Sequence, residues 1–125
     1  MKGRVLDFGC GEKPYQPIIY CNEYVGVDVK TSGHSKDRHA KVDYYYENNK
    51  LPFGEMYFDN VISTQVFEHV YEIDVVLDEI YRVMCTNGHI IITVPLCNPE
   101  HEIPYDYFRY TTYGITKNWK NMDLK

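Results

Sequence analysis

The sequence predicts one α/β domain: an open, mostly parallel sheet of about five strands with flanking helices. Short apolar runs recur without the apolar/polar alternation of a half-exposed sheet, as strands buried on both faces do. The first run stops at a glycine turn, Gly9-Cys10-Gly11. One long stretch carries helical spacing between two such runs. Parallel neighbours need a crossover connection, normally a helix, and right-handed crossovers place helices on both sheet faces.

Arg4 to Phe8 reads as the first strand. Pro14 and Pro17 follow, so a helix after the turn is short, with Ile18, Ile19 and Tyr15 supplying its apolar face. Tyr24 to Val29 is the second strand. Thr31 to His39 is polar and reads as a loop or weak helix. Lys41 to Tyr46 is the third strand and Phe58 to Ser63 the fourth. Ile73, Val76, Leu77, Ile80, Val83 and Met84 then repeat at three and four residues, giving one apolar helical stripe. Asp74 suits its N-cap, Asp78, Glu79 and Arg82 face away from the stripe, and Asn87-Gly88 closes it. His89 to Val94 is the fifth strand, stopped by Pro95. The core spans about 4–96, a loop-rich lid about 97–115, and a polar tail 116–125, within a single domain 1–125.

Composition narrows the function classes. A net charge of −5 argues against nucleic acid as partner, because phosphate binding needs clustered Lys and Arg. No apolar run reaches the roughly 18–20 residues of a membrane span, and no leader-like segment opens the chain, so neither membrane nor secretion is expected. The four cysteines match no zinc template and no Cys-x-x-Cys pair, so no metal is expected and reduced thiols in a cytoplasmic protein are. Thirteen tyrosines, many clustered at 44–46 and 105–113, suit an amphipathic surface near a ligand or strand rims.

In open parallel sheets ligands sit beyond the carboxyl ends of the strands, where strand order reverses. Asp7-Phe8-Gly9-Cys10-Gly11 ends strand one, and its glycines permit a tight turn and close backbone approach. Asp28 ends strand two, about 20 residues on, and can accept hydrogen bonds from both ribose hydroxyls. Glu47-Asn48 follow strand three, and Thr64 and Gln65 end strand four. A dinucleotide fingerprint wants a third glycine where Pro14 stands, and no Gly-Lys-Ser/Thr follows for a triphosphate. A glycine turn without a phosphate cradle, with an acid for the ribose, suits a nucleoside lacking phosphates. S-adenosylmethionine is the common one, and Asp7 can act on its cationic amino-acid end.

V-L-D-F-G-C-G-E-K-P-Y, Y-V-G-V-D, L-P-F, Y-F-D-N-V-I-S-T-Q-V-F-E-H-V and L-D-E-I-Y-R-V-M-C-T-N-G-H-I-I-I-T-V-P occur in that order. They resemble the motifs of class I S-adenosylmethionine-dependent methyltransferases, in the small-molecule branch with the E-H-V signature. The resemblance covers about residues 4 to 115 and implies a Rossmann-like fold. H-E-I-P-Y-D-Y-F-R-Y-T-T-Y-G-I is similar to a subgroup found beside polysaccharide or cell-surface biosynthesis enzymes. The resemblance implies that Asp7, Gly9 and Gly11 hold the methionine part of the cofactor and Asp28 the ribose. It places Glu47 near the adenine amino group, with Asn48 offering its N–H to the ring. Asp43 competes with Glu47, which stands where the family usually has Asp. Gln65 is expected to wall the cofactor or substrate.

Glu68-His69 has two readings. His69 positions or deprotonates an acceptor, or the pair pins the loop entering the next helix, which the family's retention of it across many chemistries favours. Tyr105, Phe108 and Arg109 are candidate acceptor-binding residues of the lid, Arg109 able to grip a carboxylate or phosphate. The alternative is that the lid's aromatics pack over the strand ends. His69, His101 and Asp106 are the candidate bases, needed only where the acceptor must lose a proton. Methyl transfer otherwise asks the protein mainly to position cofactor and acceptor.

The family's sheet ends in a C-terminal β-hairpin beside strand five, for which Ile115 to Lys125 leave no room. Strand 89–94 is therefore expected as an uncovered apolar edge, completed by a second copy or another chain. The leading function is methyl transfer to a small-molecule or sugar-like acceptor. A shortened, catalytically weak or inactive S-adenosylmethionine-binding protein is the alternative, and a nicotinamide enzyme is disfavoured by Pro14 and the absent third glycine.

Overall fold

The computed structural model describes residues 1–31 and 41–120. Its strands are β1 (Arg4–Phe8), β2 (Glu23–Asp28), β3 (Tyr44–Tyr45), β4 (Phe58–Thr64) and β5 (Met84–Thr93). They form one 5-stranded sheet in the order β3-β2-β1-β4-β5, with every pairing parallel. The chain moves one way from β1 and then returns to its other side, so order reverses beside β1. That is where an open α/β sheet has its ligand crevice.

Register sorts the side chains by face. Leu6 lies level with Val25 and Val61, and Phe8 with Val27. These residues share a buried core with Val76, Leu77, Ile80 and Val83 of α1 (Ile73–Val83). Leu77 and Ile80 are fully buried, and truncating either to alanine would cost about 2–5 kcal/mol. Val5, Asp7 and Ile62, on the opposite face, are buried too. The central strands are thus enclosed on both sides, which is why they read as continuous apolar runs. β5 differs: Ile90 and Ile92 face the core while His89, Ile91 and Thr93 are exposed. It is the last strand of the sheet, and Ile91 is 50% exposed.

Several local expectations are corrected. The helix begins at Ile73, with Glu72 as N-cap, and Asp74 falls in its first turn, where a carboxylate favours the positive end of the helix dipole. It ends at Val83, and Met84 is already extended and pairs with Phe58. Asn87-Gly88 is not a helix cap but part of a shift in the β4–β5 register, between Met84 opposite Phe58 and His89 opposite Asn60. A Cβ on Gly88 would lie 2.8 Å from the Asp59 carbonyl oxygen, so the shift needs glycine. Glu79 does not face solvent. It is buried, because its carboxylate accepts the Leu51 N–H (2.5 Å) and both Nε (2.5 Å) and Nη2 (2.9 Å) of Arg82.

After the glycine turn only one 3₁₀ turn forms, Gln16–Ile18, and it buries nothing; Ile18 is 70% exposed. Two prolines within four residues leave too few N–H donors to continue a helix. The third strand shrinks to Tyr44–Tyr45, although the flanking Asp43 and Tyr46 N–H groups still bond to Gly26 O and Asp28 O. The loop or weak helix expected over 31–39 lies, beyond Thr31, outside the described residues. Where a lid end and polar tail were expected, residues Thr112–Lys120 form α2, opened by Thr111 Oγ1 accepting the Gly114 N–H, and Trp119 packs on the core.

Candidate active site

A cavity of about 530 Å³ opens beyond the carboxyl ends of the strands. Phe8 and Gly9 at the end of β1, Asp28 and Val29 at the end of β2, Tyr46 after β3 and Val66 after β4 line it, with His69, Tyr71 and Tyr107 across from them. Gly9 has φ 77° and its N–H bonds to Val27 O, which turns the chain sharply over β2. A Cβ there would stand 2.2 Å from Val66 Cγ2. Gly11 also has positive φ (49°), but a Cβ on it would meet nothing within 4 Å.

Asp28 closes the turn. Its Oδ2 accepts the Gly11 N–H at 2.9 Å and its Oδ1 the Val29 N–H at 2.7 Å. An ionised carboxylate offers about four acceptor sites, so lone pairs remain for two further donors from the cavity. Tyr46 is the second observation. Its hydroxyl is buried, has no hydrogen-bond partner among the described residues, and belongs to a side chain lining the same space. A buried polar atom without a partner is costly, and a polar ligand in this cavity would relieve it.

Asp7 lies beneath the turn rather than in the cavity. It is buried and accepts the Tyr24 hydroxyl at 2.5 Å. Burial pushes its pKa up to about 6; the Tyr24 bond opposes that, and the charge of Asp28 adds to it. Burial, reinforced by Asp28 and Asp7, likewise pushes the Cys10 thiol up to about 12, so Cys10 is no nucleophile. All four cysteines are free thiols.

The residues read for the adenine are placed apart from this cavity. Glu47 pairs with Lys30 Nζ at 2.6 Å. Asp43 Oδ2 accepts the Gly26 N–H at 2.8 Å and pairs with the buried Lys13 ammonium. Asn48 is in the left-handed region, and its neighbour Asn49 lines the cavity instead. Gln65 is exposed, its N–H on Thr93 O.

The lid folds back onto the loop after β4. Tyr107 and Phe108 donate their N–H groups to the Glu68 carbonyl at 2.9 and 3.1 Å. Tyr107 faces the cavity, whereas Tyr105, Phe108 and Arg109 do not line it. Arg109 is a clamp within the lid: it grips Asp106 in a two-pronged pair (2.6 and 2.9 Å) and donates to the Asn98, Pro99 and Phe108 carbonyls. That guanidinium, with the His101 N–H, holds the Asp106 carboxyl well below the usual carboxylate range. Asp106 is accordingly a poor proton acceptor. His69 lines the cavity, and His101 stands edge-on to it with ring centroids 4.9 Å apart.

Sequence reasoning missed Tyr46, Asn49, Val66, Tyr71 and Tyr107 as cavity residues. Tyrosine clusters were the available signal, but nothing in their spacing says which ring turns inward.

Comparison with known proteins agrees with this fold. The family described as "Methyltransferase domain" matches residues 6–92. A Mycolicibacterium smegmatis protein named "probable S-adenosylmethionine-dependent methyltransferase" is 29% identical over 112 residues, 83% of this chain and 44% of that one. A Mycobacterium tuberculosis relative of the same description is 27% identical, with 83% and 41% covered. The chain thus spans less than half the length of these relatives. Among solved structures, S-adenosylmethionine-dependent methyltransferases of Thermotoga maritima (TM-score 0.74, 18% identity, 95% of this chain and 62% of that one) and Aquifex aeolicus (0.68, 17%, 95% and 70%) share the fold. So does a [4+2]-cyclase, at TM-score 0.72, 17% identity, 95% and 50%.

The chain belongs to the methyltransferase-domain family. Its fold is the Rossmann-like parallel sheet of those enzymes, and the cofactor the family implies is S-adenosylmethionine. The residues present fit that cofactor: an acid on the cavity wall with lone pairs to spare, a glycine turn without a phosphate cradle, and a tyrosine hydroxyl on the same wall without a partner among the described residues. No helix among the described residues is long and apolar enough to cross a membrane.

Proposed function

We propose that this chain transfers a methyl group from S-adenosylmethionine to a small-molecule or sugar-like acceptor. The observation that carries the reading is Asp28, fixed by the Gly11 and Val29 N–H groups with its remaining lone pairs on the cavity. The fold alone would not decide the chemistry, since a cyclase shares it. Asp28 would take the ribose hydroxyls. The Gly9–Gly11 turn would hold the amino-acid end, with Asp7 supporting it from beneath. When bound, the cofactor supplies a methyl carbon already activated by its sulfonium. The protein's part is to hold acceptor and methyl carbon in line and to exclude water.

The acceptor would enter between Tyr71, Tyr107 and His69, which face the strand tips across the cavity. Tyrosine rings suit a sugar-like partner, presenting an apolar face and a polar tip. Calorimetric titration with S-adenosylmethionine and its demethylated product tests the cofactor, and a screen of hydroxylated acceptors followed by mass spectrometry tests transfer. Binding of neither cofactor form would sink the reading. We also propose that β5 pairs with a second copy or a completing chain, because its outer edge has no neighbouring strand among the described residues and Ile91 is half exposed. A monomer in light scattering at high concentration would oppose that.

A further inference from the structure

Glu68, His69 and His101 bring their lone pairs together without a proton between them. Glu68 is fully buried, and neither of its carboxylate oxygens has a hydrogen-bond partner among the described residues. Its Oε1 stands 3.7 Å from His69 Nε2 and 3.7 Å from His101 Nε2. The tautomers follow from the other ring nitrogens. His69 Nδ1 is 2.5 Å from the Tyr105 carbonyl oxygen, and His101 Nδ1 is 3.0 Å from that of Pro99. A carbonyl only accepts, so the Tyr105 contact puts the proton of His69 on Nδ1, and the 3.0 Å Pro99 contact, shorter than the 3.4 Å approach of Arg109 Nη2 to the same nitrogen, does so for His101, which leaves a lone pair on each Nε2. Two imidazole lone pairs and a desolvated carboxylate then converge, with ligand atoms all within 4.8 Å of one another. A cation is what such a set lacks.

We propose that Glu68, His69 and His101 bind a divalent first-row transition ion. Ligands ~2.1 Å from a tetrahedral ion stand roughly 3.4 Å apart, close to the 3.7 Å from Glu68 Oε1 to each histidine Nε2, with the third edge within 4.8 Å. Each histidine already has the carbonyl partner on its far nitrogen that metal-binding histidines use to fix tautomer and ring orientation. At 3.7 Å neither imidazole Nε2 is within hydrogen-bond distance of Glu68 Oε1. The lid delivers His101 to this point: Asp106 accepts the His101 N–H at 2.8 Å, and Arg109 grips Asp106 and the Asn98 and Pro99 carbonyls.

His69 lines the cavity, so the ion would present an open position to an acceptor oxygen. That use rests on the methyl-transfer reading; ion binding itself does not. The test is Co²⁺ titration of the chelator-treated full chain, without cofactor or acceptor, read by visible d–d absorption and by Zn²⁺ competition. One equivalent should bind with a nitrogen-coordinated spectrum and be displaced by Zn²⁺. His101→Ala changes only a lid side chain and should weaken binding about 100-fold; Glu68→Gln should do the same if it folds. Absence of the band at millimolar Co²⁺, or binding unchanged in His101→Ala, overturns the proposal. Either outcome is independent of whether S-adenosylmethionine binds, which calorimetry measures separately.

Discussion

Asp28 Oδ2 accepts the Gly11 N–H at 2.9 Å, joining the tip of the second strand to the glycine turn that ends the first. The parallel register makes this contact available: Phe8 lies level with Val27, so the turn after β1 passes directly over Asp28. The acid therefore has a structural duty beside the ribose contact proposed for it. Asp28→Ala should weaken binding of S-adenosylmethionine by roughly 10–100-fold, the equivalent of about 1.5–3 kcal/mol for bonds to a charged group. Asp28→Asn should lie between the two, since the amide keeps an acceptor oxygen but loses the charge. Calorimetric Kd values rank the three proteins, and equal affinity across them would remove the ribose assignment.

Tyr46 makes the opposite kind of prediction. Its hydroxyl is buried without a partner among the described residues, so Tyr46→Phe should leave stability unchanged or raise it by about 1 kcal/mol. The same variant should bind the cofactor several-fold more weakly, because the bound ligand would lose its hydrogen bond. Thermal melts with and without ligand separate the two effects. A variant that is destabilised alone but stabilised by ligand as much as the parent would contradict the assignment.

Legibility in the sequence follows the same division. The buried strands, the α1 stripe and the Gly9–Asp28 relation come from apolar period and fixed spacing, and these survive translation into structure. What fails is what tertiary contacts decide. Glu79 reads as a solvent-facing acid on helical spacing, yet it is buried because the Leu51 N–H and the Arg82 guanidinium reach it. Asn87-Gly88 reads as a helix stop, yet strand pairing claims Met84 first. Arg109 reads as an anion grip, but its donors are taken by Asp106 and three carbonyls of its own loop. The Glu68–His69–His101 convergence joins residues more than thirty positions apart, which no local pattern encodes.

Asp7 gives the pH dependence its direction. Its folded pKa is raised to about 6, above the unfolded value of 3.8, chiefly by burial. Between these values the folded chain holds a proton that the unfolded chain has released. Stability contributed by this group is therefore present at low pH and lost as pH rises through about 6. Asp7→Asn keeps a partner for the Tyr24 hydroxyl and removes the titration. The difference in unfolding free energy between variant and parent should shift in the variant's favour by on the order of 2 kcal/mol from pH 4 to pH 7.5. Urea melts across that range would show it, and a flat difference would mean that Asp7 ionises freely in the fold.

Arg82 ties the segment before β4 to α1. It pairs with Glu79 through two nitrogens and donates to the carbonyls of Phe53 (2.8 Å) and Leu51 (3.2 Å). Arg82→Met keeps the aliphatic stem but leaves the buried Glu79 carboxylate without its cation, which should cost about 2–3 kcal/mol. Glu79→Gln with Arg82→Met should cost less than the sum of the two single changes, because the second removes a charge the first has stranded. Additive effects in that double-mutant cycle would show the pair to be solvated rather than coupled.

The lid clamp has a readout of its own. Arg109 binds Asp106 and the 98–99 carbonyls, Asp106 holds the His101 N–H, and the Tyr107 and Phe108 N–H groups bond to Glu68 O. Removing the guanidinium should free the 98–106 loop while leaving the sheet and α1 intact, since none of its partners lies in those elements. Arg109→Met should therefore speed hydrogen exchange at the His101 N–H by at least tenfold, with Leu6 and Val61 unchanged. Arg109→Lys should fail to restore protection, because an ammonium cannot span Asp106 and two carbonyls with a planar fork. Protection restored by lysine would reduce the clamp to a simple charge pair, and faster exchange spreading into β1 would show that the lid and the core open together.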